Sequence, residues 1–347
     1  MGKKLLYASL VLMLVVGSLV GCTSGGNGNG GEAELKKVIM VTDQGGVDDK
    51  SFNQAAWTGL SSFGDAHADK VKVDYVESHS AEDYAPNLTA AVDQGAGLVW
   101  AVGYMMADQL TEAAENNPDN QFGIIDWAPD AANALPNVAY VVFKEHEGSF
   151  LVGLIAGLTT KTNNVGFVGG MSGGVIEKFE VGFHAGVKAV NPEATVQIQY
   201  AEAWDQIAKG EQIATTMINN GADVIYHAAG GTGIGVAQAC DKAQVHFIGV
   251  DVDQSELTPY TLTSMLKRLD TAISTISEDW LNDKFEGKIH TLGLAEDGVG
   301  YVYDPEKISD DVKAVVDDFE AKIKSGEIVV PSSNAELPAF LDSLKAE

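Results

Sequence analysis

Nine short runs rich in Val, Ile and aromatic residues punctuate the chain, and stretches of helical periodicity lie between them. The runs are Val38–Val41, Val71–Val76, Leu98–Val102, Phe122–Ile125, Val138–Phe143, Val165–Val168, Val196–Tyr200, Val224–His227 and His246–Val250. Each is bounded by Gly, Asp or Asn. Such alternation predicts parallel sheets covered by helices on both faces. Nine strands are many for one sheet, whereas two sheets of about five are ordinary. The fold class is therefore α/β, with two doubly wound lobes. Among the helices, Phe179, Phe183, Val187 and Val190 recur at the spacing of one apolar face. Another helix is expected to start at Ser51, where Ser51 and Gln54 have the spacing of a capping box.

The length of 347 residues agrees with two lobes, because single cores rarely grow past about 250–300 residues. No Pro/Gly-rich linker divides the body, so the lobes are expected to meet closely across a hinge. Crossings are expected at Lys144-Glu145-His146-Glu147, after Asp251 and near residues 292–297. This gives a first lobe of 36–143 plus 254–292 and a second of 144–253 plus 293–347. No repeat of 20–50 residues is visible.

Residues 1–21 read as a secretion signal. Lys3 and Lys4 precede an apolar stretch from Leu5 to Val20, shorter than the roughly 20 residues a membrane-spanning helix needs. Its end, Leu19-Val20-Gly21-Cys22, resembles the bacterial lipobox, in which cleavage precedes a lipid-bearing cysteine. The alternative is an ordinary signal with a chance cysteine. Residues 22–35 read as a flexible tether, since Thr23 to Gly31 holds only Thr, Ser, Gly and Asn. The expected location is the extracytoplasmic face of a cell membrane, held by lipid on Cys22. The other cysteine, Cys240, falls in a helical stretch and reads as a buried thiol.

A net charge of −27 excludes a nucleic-acid binder that tracks phosphates. The chain has no CxxC, no HExxH and no GxxxxGK[ST], so neither a built-in zinc site nor ATP-driven chemistry is expected. No cofactor is expected. The acidic pairs Asp48-Asp49, Asp310-Asp311 and Asp317-Asp318 lack the alternation of a calcium loop and read as solvated charge.

Ligands of open α/β sheets bind beyond the carboxyl ends of the strands. After the first run comes Thr42-Asp43-Gln44-Gly45-Gly46-Val47-Asp48-Asp49-Lys50-Ser51-Phe52-Asn53-Gln54, a tight loop entering a helix. Phe52 either faces the binding edge or packs in the core, since it shares a helix face with Ala56, Leu60 and Phe63. Asp43, Asp126 and Asp251 could equally close strand-end loops, and Lys267 could be a surface lysine with a buried stem. Two enzyme patterns compete. Gly231-Thr232-Gly233-Ile234-Gly235 imitates a dinucleotide fingerprint but lacks a third Gly at Val236 or Gln238, and reads as a turn whose amides face a ligand. Gly170-Met171-Ser172-Gly173-Gly174 fits GxSxG, with His290 downstream, and reads better as a structural turn.

The run from Val41 to Leu60 resembles the signature of the basic membrane protein family, purine-nucleoside receptor lipoproteins of bacterial ABC importers. The likeness continues through Gly166-Phe167-Val168-Gly169-Gly170-Met171, Phe179-Glu180-Val181-Gly182-Phe183 and Ala228-Ala229-Gly230-Gly231-Thr232-Gly233. It also covers Ile248-Gly249-Val250-Asp251-Val252-Asp253-Gln254 and Thr263-Ser264-Met265-Leu266-Lys267-Arg268. The resemblance implies a type I periplasmic-binding-protein fold, whose lobes close on a nucleoside such as inosine, guanosine or adenosine. It implies that Phe52 and Trp204 sandwich the base, where the family often has Phe at the second position. It further implies that Asn53 and Asp126 bond the base edge. Asp43, Asp251 and Lys267 match the ribose-binding set, with a backbone contribution around Gly230 and Gly231. The implied partners are an ABC permease and its ATPase. Another flat heterocycle such as riboflavin, or a signalling partner, remains an open alternative.

Overall fold

The computed structural model describes residues 35–344. The signal-like stretch, Cys22 and the tether up to Glu34 lie outside the described residues.

The chain first builds one sheet in strand–helix units: β1 (Lys36–Val41), α1 (Phe52–Ala66), β2 (Val71–Val76), α2 (Tyr84–Asp93), β3 (Leu98–Val102), α3 (Ala107–Asn116), β4 (Gln121–Ile125) and β5 (Val138–Phe143). It crosses at Lys144 into α4 (Glu145–Thr159) and repeats the pattern. The second series is β6 (Asn164–Gly169), α5 (Gly174–Val190), β7 (Thr195–Tyr200), α6 (Ile207–Asn219), β8 (Val224–Ala228), α7 (Thr232–Ala243), β9 (His246–Asp251) and β10 (Thr261–Lys267). The rest is α8 (Leu269–Leu281), β11 (Ile289–Leu292), β12 (Val299–Tyr301), α9 (Asp310–Ser325) and α10 (Leu337–Ser343).

The sheet orders are β11-β5-β4-β3-β1-β2 and β12-β10-β9-β8-β6-β7. Each of the first five strands thus has a counterpart in the other sheet, with β4 matching β9 and β5 matching β10. All the pairings are parallel except β10 with β12. Central strands are buried on both faces and mostly apolar: every residue of β3 (LVWAV) and β8 (VIYHA) is buried, and the histidine of β8, His227, is paired with Gln254.

Two expectations change here. Thr261–Lys267, assigned from sequence to the first lobe, forms β10 in the second sheet, beside β9. The chain returns to the first sheet only at Arg268, where α8 packs on α1. The crossing is therefore after Lys267 and not after Asp251. The segment was missed as a strand because Thr and Ser interrupt its apolar pattern. The chain also passes between the sheets at Lys144, ahead of α4 and β6, and after Leu292, where β11 of the first sheet is followed by β12 of the second.

Ser51 does stand at the N-cap of α1, but its side chain makes no cap bond. Asp49 caps the helix instead. Its Oδ1 accepts from the amides of Ser51 and Gln54 at 2.8 and 3.1 Å, and its Oδ2 from that of Asn53 at 2.9 Å. Asp49 is consequently 4% exposed and no solvated charge, while Asp48 is exposed.

Candidate functional site

The strand ends of both sheets converge on a cavity of about 570 Å³, open solvent at its mouth included. From the first sheet's side it is lined by Asp43, Asp49, Phe52, Asn53, Tyr104 and Asp126. The second contributes Ile176, Phe179, Trp204, Gly230, Asp251 and Lys267. Phe52 does not follow Ala56, Leu60 and Phe63 into the core: it is half-buried and lines the cavity.

Trp204 sits in the loop between β7 and α6. That loop is fastened on both sides: Ala201 and Glu202 donate to the carbonyls of Gly169 and Gly170, and Thr232 donates to the Trp204 carbonyl at 2.9 Å. The six-membered part of its indole lies on Gly170, where a Cβ would come within 2.2 Å of the ring. Glycine there is a condition for the ring's position. The amides of Thr232 and Gly233 are used inside this turn, on Trp204, Ala229 and Gly230 carbonyls. These two amides are therefore spent within the turn.

Asp126 directly follows β4 and Asp251 ends the equivalent strand β9, and both have left-handed backbones, with φ of 71° and 68°. Aspartate tolerates this region better than most residues, and strain of this kind concentrates at binding sites. The two acids are held differently. Asp251 accepts from Ser51 Oγ, which ties the α1 entrance to the second sheet. Asp126 pairs with Lys267 Nζ at 2.7 Å. Lys267 also pairs with Glu145 at 3.0 Å, and Glu145 with Lys178 at 3.1 Å. The Lys267 ammonium stands 5.1 to 5.4 Å from the ring centroids of Phe52, Phe143 and Phe179.

This charge arrangement sets the titration of the site. Burial pushes the Asp251 carboxyl up to about 7, against the pull of Lys267 and the Ser51 hydrogen bond. Burial likewise pushes Asp43 up to about 6, against hydrogen bonds from Gly45 and Asn53. Burial also raises Asp49 and Asp126. For Lys267 burial works toward neutrality, but Asp126, Glu145 and Asp251 outweigh it and hold the ammonium charged. The cavity wall is rich in hydrogen-bond acceptors and its lysine is already paired.

A family model described as Bmp, ABC transporter substrate-binding protein PnrA-like, matches residues 36–334. The chain belongs to the Bmp family. It is similar to the CD4+ T-cell-stimulating antigen of Listeria innocua, with 43% identity over 95% of this chain and 99% of that protein. The ABC transporter nucleoside-binding protein BmpA of Lactococcus lactis subsp. cremoris is 36% identical, over 96% of this chain and all of its own length. Among solved structures, the ABC transporter system solute-binding protein of Aeropyrum pernix K1 superposes with a TM-score of 0.80 at 27% identity. It covers 90% of this chain and 98% of its own. The two-lobed arrangement is the type I periplasmic-binding-protein fold, as the resemblance implied.

In this Bmp-family substrate-binding protein, Asp43, Phe52, Asn53, Asp126, Trp204, Gly230, Asp251 and Lys267 all line one cavity. Gly231 does not; it lies just behind, at the N-cap of α7 and 3.3 Å by its would-be Cβ from the Trp204 carbonyl. Sequence reasoning missed Asp49, Tyr104, Ile176 and Phe179. The position of Asp49, four residues ahead of Asn53 at a helix entrance, was the available signal. Ile176 and Phe179 carried only a core-like helical period. Of the competing enzyme patterns, Ser172 is exposed ahead of α5 in the second lobe, whereas His290 is in β11 of the first sheet.

Proposed function

We propose that this Bmp-family protein is a lipid-anchored extracytoplasmic receptor that captures a purine nucleoside and delivers it to an ABC permease and its ATPase. The observation that carries the reading is the single cavity shared by Phe52 of one lobe and Trp204 of the other, ringed by carboxylates. Two aromatic side chains suit a planar base, and each stacking contact contributes about 1–3 kcal/mol. Asp43, Asp251 and Lys267 suit the hydroxyls of a ribose, with Gly230 beside them, and Asn53 and Asp126 suit the base edge. Inosine, guanosine and adenosine are the ligands considered. The relative from Lactococcus lactis is named for nucleoside binding, which agrees.

The electrostatics favour a neutral nucleoside over a nucleotide. Asp43, Asp49, Asp126 and Asp251 face the cavity against one lining lysine, and that lysine is paired. A phosphate would be buried beside like charges without a free cation. Free ribose leaves the ring surfaces unfilled. Contacts from both lobes are completed only when they close, so the ligand favours the closed arrangement.

The lipobox-like Leu19-Val20-Gly21-Cys22 and the tether behind it support anchoring through lipid on Cys22. Mass spectrometry of small molecules released from freshly purified protein tests the ligand assignment. A purine nucleoside is expected, and riboflavin or a free sugar would contradict it.

A further inference from the structure

We propose that Asp49, together with Asp43, makes the base subsite select nucleosides whose base edge carries an N–H donor, by presenting only the oxygen of Asn53 to the ligand. This rests on the nucleoside reading above and adds the rule by which bases are sorted.

Asparagine ordinarily reads adenine with both halves of its carboxamide, accepting from the amino group and donating to a ring nitrogen. Here the donating half is engaged elsewhere. Asn53 Nδ2 donates to Asp43 Oδ1 at 2.7 Å and to Asp49 Oδ2 at 3.0 Å. Asp43 Oδ1 and Asp49 Oδ2 already accept backbone amides, from Gly45 and Asn53, so both present acceptor oxygens and the orientation of the amide follows: turned over, its oxygen would face two acceptors. Neither neighbour is free to turn. Asp49 is held by three backbone amides of the α1 entrance, and Asp43 Oδ1 also accepts from Gly45 at 2.9 Å.

What remains is Asn53 Oδ1. Asn53 is 1% exposed and lines the cavity, and its Oδ1 is buried with no hydrogen-bond partner among the described residues. Phe52 and Asn53 are consecutive in the first turn of α1, so the amide meets the edge of a base resting on the Phe52 ring. A ring N–H, such as N1–H of a 6-oxopurine, satisfies that oxygen. A ring nitrogen with a lone pair sets two buried acceptors against each other, which penalises binding. Asp49 is thus a positioning residue and Asn53 the one that reads the base.

Calorimetric titration of the full chain with inosine, 1-methylinosine and purine riboside tests this. Inosine carries N1–H; the other two have no donor there. Inosine is expected to bind at least about tenfold more tightly than either. Equal affinity for inosine and purine riboside would overturn the donor rule while leaving nucleoside capture intact. Heat from none of the three would overturn nucleoside capture as well.

Asp49→Asn tests the positioning role, because a carboxamide can no longer accept on both sides. The inosine-to-purine-riboside affinity ratio is expected to fall at least threefold. A purely structural role would weaken both ligands alike; an unchanged ratio would therefore overturn the assignment to Asp49. If that variant does not fold, Asn53→Ala carries the test: its ratio is expected to approach one, and a ratio like the parent's would overturn the proposal.

Discussion

Asp251 ends its strand on a left-handed backbone, takes a hydrogen bond from Ser51 across the lobes, and titrates near neutrality because it is buried. An acid raised in the folded state holds a proton that the unfolded chain has lost. Between the ordinary value of 3.8 and about 7 the folded form binds more protons, so this carboxyl's contribution to stability falls as pH rises through that window. Asp251→Asn removes the titration. Without ligand, the variant's melting temperature is expected to gain on the parent's between pH 5 and pH 8; a constant difference would contradict the raised value. Trp204→Ala and Phe52→Ala are each expected to weaken nucleoside binding by about 5- to 150-fold, the equivalent of one stacking contact. Their circular dichroism should stay that of the parent, because both side chains are half-buried at the cavity and not in the interior. Normal binding by either variant would remove that side of the sandwich. Much of the cavity was legible at this scale because its residues follow strand ends in one order. Asp49 was not, since a buried helix-capping acid and a solvated one look alike in sequence.

Helices α4 and α5 illustrate what element patterns reveal and conceal. The period of Phe179, Phe183 and Val187 exposed the apolar face of α5, and all three are buried. The partner face is set by glycine. A Cβ at Gly186 would lie 2.1 Å from the Phe150 carbonyl oxygen, and one at Gly153 would lie 2.4 Å from that of Phe183. The two backbones therefore touch, with no side chain between them. Gly186→Ala is expected to destabilise the protein by about 1–3 kcal/mol through overpacking, read from urea unfolding. An unchanged midpoint would show that the helices can part at no cost. Periodicity found the nine strands with strong apolar runs, three of them with the same bounds as in the structure. It overlooked β10, β11 and β12, which are short, polar-interrupted or edge strands whose place depends on the sheet they join.

The molecule as a whole is a topology used twice. Asp126 and Asp251 stand at the carboxyl ends of the matching strands β4 and β9, and the cavity lies where the two sets of strand ends face each other. No short-period repeat announces this, because the repeated unit is a whole lobe. The lobes are fastened near the cavity by Ser51 to Asp251, by Gln254 Nε2 to the Lys50 carbonyl at 2.8 Å, and by Lys267 to Asp126. These contacts join the lobes across the space proposed for the ligand, so the guest that fits best should be flat, uncharged and rich in donors. Isothermal titration of the purified protein with inosine, ribose and inosine 5′-monophosphate tests this most directly. One inosine bound per chain is expected, with far weaker or no binding of the sugar and the nucleotide. Saturable binding of ribose or the monophosphate, with no heat from inosine, would contradict nucleoside capture.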